Sequence, residues 1–418
     1  MESPESLPEG EKRASWRAAG GPLAAFRVPH FLAYWLSNLL QFFSAQIHSM
    51  TMQWLVTELT TSRTLLGLVG FVQGTVVAAA SPLAGVAADR FAKRHLLVAS
   101  RVAMAGVVLL MAFLVQTGLI VIWHIIALAV VGGLIMALMQ PASQTYVFDI
   151  VGRERIQNAI ALNSTGTGAA QMLGPALAGG LIAAVGIVGA FVSAAAGILL
   201  ATGMLALIPV LGSPTSAGRG RALRELRDGF GYVRAHPALL LTLVACSMAI
   251  FNGALFAMRP IFARHVLEVG SVGYGMMAGA SGVGTVVGAL VATLLPPFRR
   301  PGVMITLAMF GYSTCIFLYS FAFSFEYVLV VEFGTGLFGQ LWNVSTFSGL
   351  QMAVPENMRG RIVSMVFMVV QLASIGQLFV GALADAIGDQ LAMGIFGLTP
   401  MLVLGGILAF GHRTLREL

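Results

Sequence analysis

Two ionisable residues stand where charge is costly. Arg259 and Glu332 each lie inside an apolar run long enough to cross a bilayer. Such groups are expensive to bury and usually serve a proton, an ion or a substrate. Each sits about seven residues from the end of its run, roughly 10 Å deep at 1.5 Å per residue. Equal depth makes them candidates for an ion pair. A pair that opens lets the carboxylate take up a proton, the chemistry of gradient-coupled exchange; a permanent bridge that only neutralises both groups is the alternative.

Polar residues recur around them at helical spacing. Asn38, Gln41, Ala45, His48 and Met52 follow a 3-4-3-4 pattern and share one face. Met248, Asn252, Phe256 and Arg259 form a second stripe, Glu332, Gly336, Gly339 and Asn343 a third, and Met136, Gln140 and Gln144 a fourth. His48 is a candidate proton or substrate contact, with a hydrogen-bonded packing histidine as the other reading. Phe256, Met248, Met52 and Met136 suit an amphiphilic cargo, because thioethers adapt to varied shapes; core packing accounts for them as well.

Enzyme chemistry finds little support. Ser281 lies in Gly279-Ala280-Ser281-Gly282, a match to intramembrane serine protease motifs, but it sits in a run crowded with small residues that serve helix packing. There is no HExxH zinc motif and no P-loop. Cys246 and Cys315 both lie in apolar runs, with no CxxC, so neither metal nor cofactor is expected. A sensor without transport would need a soluble signalling domain, for which no segment is long enough.

The elements that must position these residues follow from composition. Of 418 residues, 57% are hydrophobic and 10% charged, against about 25% charged in soluble domains. Mean hydropathy is +0.87. The net charge of +7 comes from short basic clusters between apolar runs, the pattern that orients membrane proteins, and not from a nucleic-acid-binding face. Twelve stretches are long enough to span: 31–59, 65–88, 96–117, 120–148, 156–184, 187–209, 238–266, 271–295, 302–323, 325–353, 362–384 and 391–411. With both termini cytoplasmic, 21 of the 24 Lys and Arg fall on the inner side, and only Arg63, Arg259 and Arg264 on the outer. The expected organisation is a disordered cytoplasmic tail over 1–22, a six-helix bundle over 23–210, a cytoplasmic linker over 211–237 and a second six-helix bundle over 238–418. Within the linker, Leu223, Leu226, Phe230 and Val233 recur at helical spacing among arginines, suggesting an amphipathic helix on the membrane surface.

The two halves repeat. A shift of 206 residues places His30 on His236, Lys93 and Arg94 on Arg299 and Arg300, and Arg153 and Arg155 on Arg359 and Arg361. Halves of six spans share one orientation, so they relate by an axis along the membrane normal, with a substrate site between them near the midplane.

GVAADRFAKR at 85–94, with Gly85, Asp89, Arg90, Lys93 and Arg94, resembles the signature between helices 2 and 3 of the major facilitator superfamily; Ala92 stands where the family has glycine, and the second-half copy has Leu295 in place of the acid. GPALAGG at 174–180, with Gly174, Pro175, Gly179 and Gly180, resembles the helix 5 signature of the family's antiporters, with three residues between Pro and Gly-Gly where two are usual. WLVTELTTS at 54–62, the block from Pro141 through Asp149, Arg153 and Arg155 to NAIALNS, LRDGFGYVRAHPAL at 226–239 and VPENMRGR at 354–361 are similar to the enterobactin-exporter-like branch. The resemblance implies an all-α fold of two pseudo-symmetric six-helix bundles, with helices 1, 4, 7 and 10 lining a central cavity. It also implies a cytoplasmic latch in which Asp89 with Arg94 acts near Arg361 at the start of helix 11; Asp149 and Arg153, at a cytoplasmic helix end, are further gate candidates, and helix caps or solvated loop charges are the competing account. The expected function is proton-coupled export of a drug-like or siderophore-like compound by a monomer in a bacterial inner membrane. The partners would be protons, a small molecule and the lipid bilayer, without nucleic acid. Uptake or uniport by the same fold is the alternative.

Overall fold

The computed structural model describes residues 23–212, 233–234, 236–294, 301–354, 366 and 372–410. Helices α1 (Phe31–Leu59), α2 (Arg63–Arg90) and α3 (Lys93–Gln116) precede one run, Ile122–Ala206. Non-helical backbone at Gly152 and Gly186 divides that run into α4 (122–151), α5 (153–185) and α6 (187–206). Both glycines have φ near +70° with ψ near 180°, a conformation essentially open only to glycine, so the chain turns without loop residues.

The second half opens with a composite α7 (237–266). Helix Pro237–Ser247 passes through a 3-10 stretch, Met248–Asn252, into Gly253–Ile261 and then a π turn, Phe262–Val266. The sequence predicts one regular span here. Pro260 lacks a backbone donor and breaks the ladder just beside Arg259. Helices α8 (Gly270–Leu294), α9 (Pro301–Leu318), α10 (Phe325–Ala353), α11 (Leu372–Ile387) and α12 (Asp389–Phe410) follow. Ser324 caps α10, its hydroxyl accepting from Tyr327 N at 3.2 Å. Among the described residues, eight helical stretches are long and apolar enough to cross a membrane, and α11 is a shorter apolar helix. Exposed Phe113, Trp123, Leu200 and Leu402 are the apolar outer surface that lipid requires. The tail over 1–22, most of the 211–237 linker with its expected amphipathic helix, and the start of span 11 lie outside the described residues.

The buried apolar side chains fall into three clusters, and their distribution reports the conformation. At the Arg63 end, where α1 gives way to α2 and α11 to α12, one cluster runs through both halves, from Met50–Val56 and Ala178 to Ala254–Ala263, Tyr274 and Val380. At the opposite, Lys93 end, each half keeps its own: Phe31, Tyr34, Leu97, Tyr146 and Leu205 in the first, Leu239, Cys246, Ile305, Trp342 and Leu404 in the second. Among the described residues, the halves share a cluster at one end and keep separate clusters at the other.

Small residues allow that fusion. Lipid removes the hydrophobic drive for helix association, so close packing must supply it. Gly67, Gly70 and Gly74 of α2 face α11, where an added Cβ would collide with the Gln377 carbonyl, the Gln377 side chain and Ser374. Gly179 of α5 meets Ser271 and Gly275 of α8 in the same way.

Candidate functional site

Arg259 and Glu332 form a bidentate ion pair. Arg259 Nε donates to Glu332 Oε1 at 2.6 Å and Nη2 donates to Oε2 at 2.8 Å. Tyr319 Oη also donates to Oε1, and Thr335 Oγ1 donates to Oε2 at 3.2 Å. The Glu332 side chain is 0% exposed and that of Arg259 15%. Fork-to-carboxylate pairing gives geometric specificity as well as strength. Every oxygen of the buried carboxylate is therefore satisfied, and the local charge is neutralised in place.

A cavity of about 420 Å³ lies between the halves below the fused end. Met52, Met136, Gln140 and Phe256 of the sequence-derived stripes line it. Ser49, Gln53, Gln73, Ser374 and Gln377 also line it, and the sequence reading missed all five. Helices α2 and α11 contribute much of the wall, and no α10 residue is among its described lining residues. Of the expected helices 1, 4, 7 and 10, the first three do line it. Gln73 Nε2 donates to Met136 Sδ at 3.6 Å, across the cavity's first-half wall.

Most of the other candidate polar residues point elsewhere. Asn38 accepts from Arg101 Nη2 at 2.7 Å, while Arg101 Nη1 donates to Ser37 Oγ at 2.7 Å, and Ser37 donates to the Ala201 carbonyl. Arg101, 1% exposed, ties α3 to α1 and α6. Its place eight residues inside α3 was the available signal for a buried cation. Gln41 is buried beside this cluster. His48 packs against Phe191 of α6, ring centroids 5.9 Å apart. Asn252 donates to Met309 Sδ of α9 at 3.9 Å, and Met248 packs in the second-half core. Gln144 and Asn343 are exposed outside the cavity lining. Helical spacing puts residues on one face but does not say what lies opposite, and α1 meets α3 and α6 low down and the cavity only near Met52.

At the Lys93 end, Asp149 pairs with Lys93 Nζ at 2.8 Å, a partner the sequence reading did not name. Arg94 donates to the Ile208 carbonyl at 2.6 Å, satisfying the carboxyl end of α6, a favourable site for a cation. Arg90 is exposed. The side chains of Asp89 and Arg153, and all of Arg361, lie outside the described residues. In α5, Gly174 packs on Gln46, the Pro175 carbonyl faces Gly275, Gly179 abuts α8, and Gly180 has open space around it.

The Arg63 end carries a latch that sequence reasoning did not anticipate. Asp385, in the last turn of α11, accepts from Arg63 N and Thr64 N at 2.9 Å each, from Ser62 Oγ at 2.9 Å and from Thr64 Oγ1 at 2.6 Å. It thus caps α2 from the other half. Arg63 donates through Nε and Nη2 to Asp389 at 2.9 and 3.0 Å. Nearby, Tyr274 Oη donates to Gln53 Oε1 at 3.2 Å, Tyr274 stacks on Trp54, and Arg264 pairs with Glu58 at 3.3 Å. Partial burial would raise the Asp385 carboxyl, but the hydrogen bonds from Thr64, Arg63 and Ser62 outweigh it and hold it below the usual carboxylate range. Its contribution to closure is therefore complete above the ordinary value near ~3.9 and is lost only as pH falls through the lowered one. Spin labels at Gly118 and Phe323 should show an unchanged separation from pH 7 to pH 5 in the wild type and a longer one in Asp385→Asn. A wild-type change in that window would assign closure to another group at this end, such as His265.

Comparison with known proteins agrees with this architecture. A family model described as transmembrane secretion effector matches residues 20–417. The chain is 24% identical over 353 residues to the uncharacterized MFS-type transporter YfiS of Bacillus subtilis (strain 168), covering 79% of this chain and 81% of that protein. It is 25% identical over 341 residues to the enterobactin exporter EntS of Shigella boydii serotype 4 (strain Sb227), covering 80% of each. In structure it is similar to a bacterial homolog of the human lysosomal transporter Spinster in an inward-facing conformation, with TM-score 0.72, 14% identity and 92% and 97% of the two chains covered. It is also similar to the nucleoside transporter NupG, with TM-score 0.74, 13% identity and 91% and 99% covered. A helical bundle of two halves, fused at one end over a central cavity, together with a family match across nearly its whole length, makes this chain a member of the transmembrane secretion effector family of major facilitator transporters.

Proposed function

We propose that the protein exports a small amphiphilic compound, drug-like or siderophore-like, in exchange for protons, by alternating access across a bacterial cytoplasmic membrane. It acts as a monomer without enzymatic chemistry, and both termini lie in the cytoplasm. In this reading the Arg63 end is the outer end, and the conformation is the one closed to the outside. The observation that carries the reading is the juxtaposition of a closed outer end, a cavity between the halves and a buried Arg259–Glu332 pair two residues along α7 from the cavity wall at Ala257. The enterobactin-exporter relative supports export as the direction.

Alternating access follows from the packing. Opening the outer end requires α2 to part from α11 and α5 from α8, with the glycine contacts and the Asp385 cap released together. The bistable element is the pair of interfaces, and the closed state has its core on one side only. Protonation of Glu332 weakens its bond to Arg259 and frees α7, whose 3-10 and π segments are the irregular backbone nearest the pair. The complete hydrogen bonding of Glu332 favours one second reading, an uncoupled uniporter in which the pair is a static brace.

Proteoliposomes decide between them. With a preloaded fluorescent amphiphile, an imposed pH gradient should drive dye uphill in the direction opposite to the proton flux, and collapse of the gradient should stop it. Equilibration without uphill movement would establish uniport, and uphill movement along with protons would establish uptake.

A further inference from the structure

The cavity carries polarity without charge. Its polar groups include four carboxamides from four helices: Gln53 on α1, Gln73 on α2, Gln140 on α4 and Gln377 on α11. The body of the wall is apolar, with Met52, Met136 and Phe256. Among the described residues, no Asp, Glu, Lys, Arg or His lines it.

Ionisable groups near the cavity are already committed, Glu58 to Arg264 and Arg63 to Asp389 among them. Arg259, three residues beyond Phe256, gives two N–H groups to Glu332, whose side chain is wholly buried and bonded on both oxygens. Arg101 is held by Ser37 and Asn38, far down α1 from the cavity. His48 packs against α6. A permanently charged cargo entering this space gives up hydration and meets no counter-ion, a loss that hydrogen bonds to neutral amides do not make good.

A neutral cargo meets a different surface. Each carboxamide offers both donors and an acceptor, so four of them match a molecule bearing carbonyl, amide or hydroxyl groups around an apolar body. Two of the four are held by exchangeable bonds. Gln73 spends a donor on the Met136 thioether, a weak acceptor that a cargo carbonyl replaces with gain. Gln53 accepts from Tyr274 of the opposite half, within the closed end. A cargo donor that takes the Gln53 carbonyl competes with that bond, so the same contact reads the cargo and loosens the plug above it.

We infer that the cavity accepts cargo only in uncharged form, as a neutral amphiphile with several carbonyl, amide or hydroxyl groups, and that it rejects quaternary ammonium and carboxylate analogues of the same body. The inference rests on the reading of this cavity as the cargo site. A volume of about 420 Å³ lies within the range of small-molecule pockets.

Binding of Nile red, which is uncharged, and of its quaternary ammonium and carboxylate derivatives to the purified full-length protein tests this. The quantity read is the part of the binding that Gln73→Leu abolishes, with the thermal midpoint of each variant measured to show that it folds. The neutral dye should bind, and both charged derivatives should bind on the order of a hundredfold more weakly. Gln140→Glu, which places a carboxylate in the wall at an exposed position, should raise the affinity for the cationic derivative by about tenfold or more. Equal Gln73-dependent affinity for a charged derivative in the wild type overturns the neutral-cargo inference while keeping the cavity as the site. Absence of any Gln73-dependent binding, whatever the dye's charge, overturns the reading of the cavity itself, and the inference with it.

Discussion

Glu332→Gln is expected to leave the protein folded and membrane-inserted while uphill export falls to the level seen without a proton gradient. The amide keeps the volume of the carboxylate and one acceptor for Arg259, but it cannot take up and release a proton. The unpaired guanidinium is more tolerable than a stranded carboxylate because its side chain is 15% exposed and keeps some access to water. The opposite truncation is expected to be worse for folding. Arg259→Ala strands a carboxylate that is 0% exposed, and breaking a buried pair from one side costs about 3–5 kcal/mol. Replacing both members by apolar residues of similar size, Arg259→Met with Glu332→Leu, should restore the thermal midpoint to near that of the wild type, because a buried pair contributes little net stability over good apolar packing. It should not restore coupling. Full gradient-driven export by Glu332→Gln would make the pair a static brace and move the coupling site elsewhere, to His48 first.

Gly67→Val is expected to abolish transport with no loss of folded protein. Gly67 looks across the interface at the Gln377 carbonyl, and the added Cβ would overlap a backbone atom that has no rotamer to escape into. Helices α2 and α11 must then stand apart at the Arg63 end. The cost falls on the interface between halves, not on either half's own core, so the variant folds yet cannot reach the closed conformation. Labels at Gly118 and Phe323 should report a longer separation than in the wild type, and export should drop by about fivefold to a hundredfold, given that overpacking a well-packed contact costs typically 1–3 kcal/mol. Wild-type separation together with wild-type export would show that the interface repacks freely, and the glycine stripe on α2 would then have no part in gating. Gly70→Ala makes a graded control, because the atom it meets belongs to the flexible Gln377 side chain.

Much of the fold was legible in the sequence, for a reason specific to membranes. Apolar runs must be helical to satisfy their own backbone in lipid, so α1, at Phe31–Leu59, and α10, at Phe325–Ala353, begin and end where the hydropathy pattern puts them. The irregular α7 was not legible, because 3-10 and π segments leave no mark on a hydropathy pattern. The turns at Gly152 and Gly186 were hidden for the opposite reason. They need a glycine in a conformation closed to other residues, and a chain with 49 glycines does not advertise which ones are used.

The candidate site divides along the same line. By itself the sequence determined that Arg259 and Glu332 seek each other: two opposite charges at equal depth in lipid have few other places to go. It also determined that polar stripes exist on four helices. Only the tertiary structure decided what those stripes meet. Asn38 serves Arg101, His48 serves α6, and the cavity takes two of its four carboxamides, Gln73 and Gln377, from α2 and α11, which no stripe marked. Asp149 found Lys93, and Asp385 found the start of α2, more than 300 residues away in the chain. Periodicity along one helix states which side chains share a face. Their partners are set by how helices cross, and that depends on the sum of packing between elements distant in sequence.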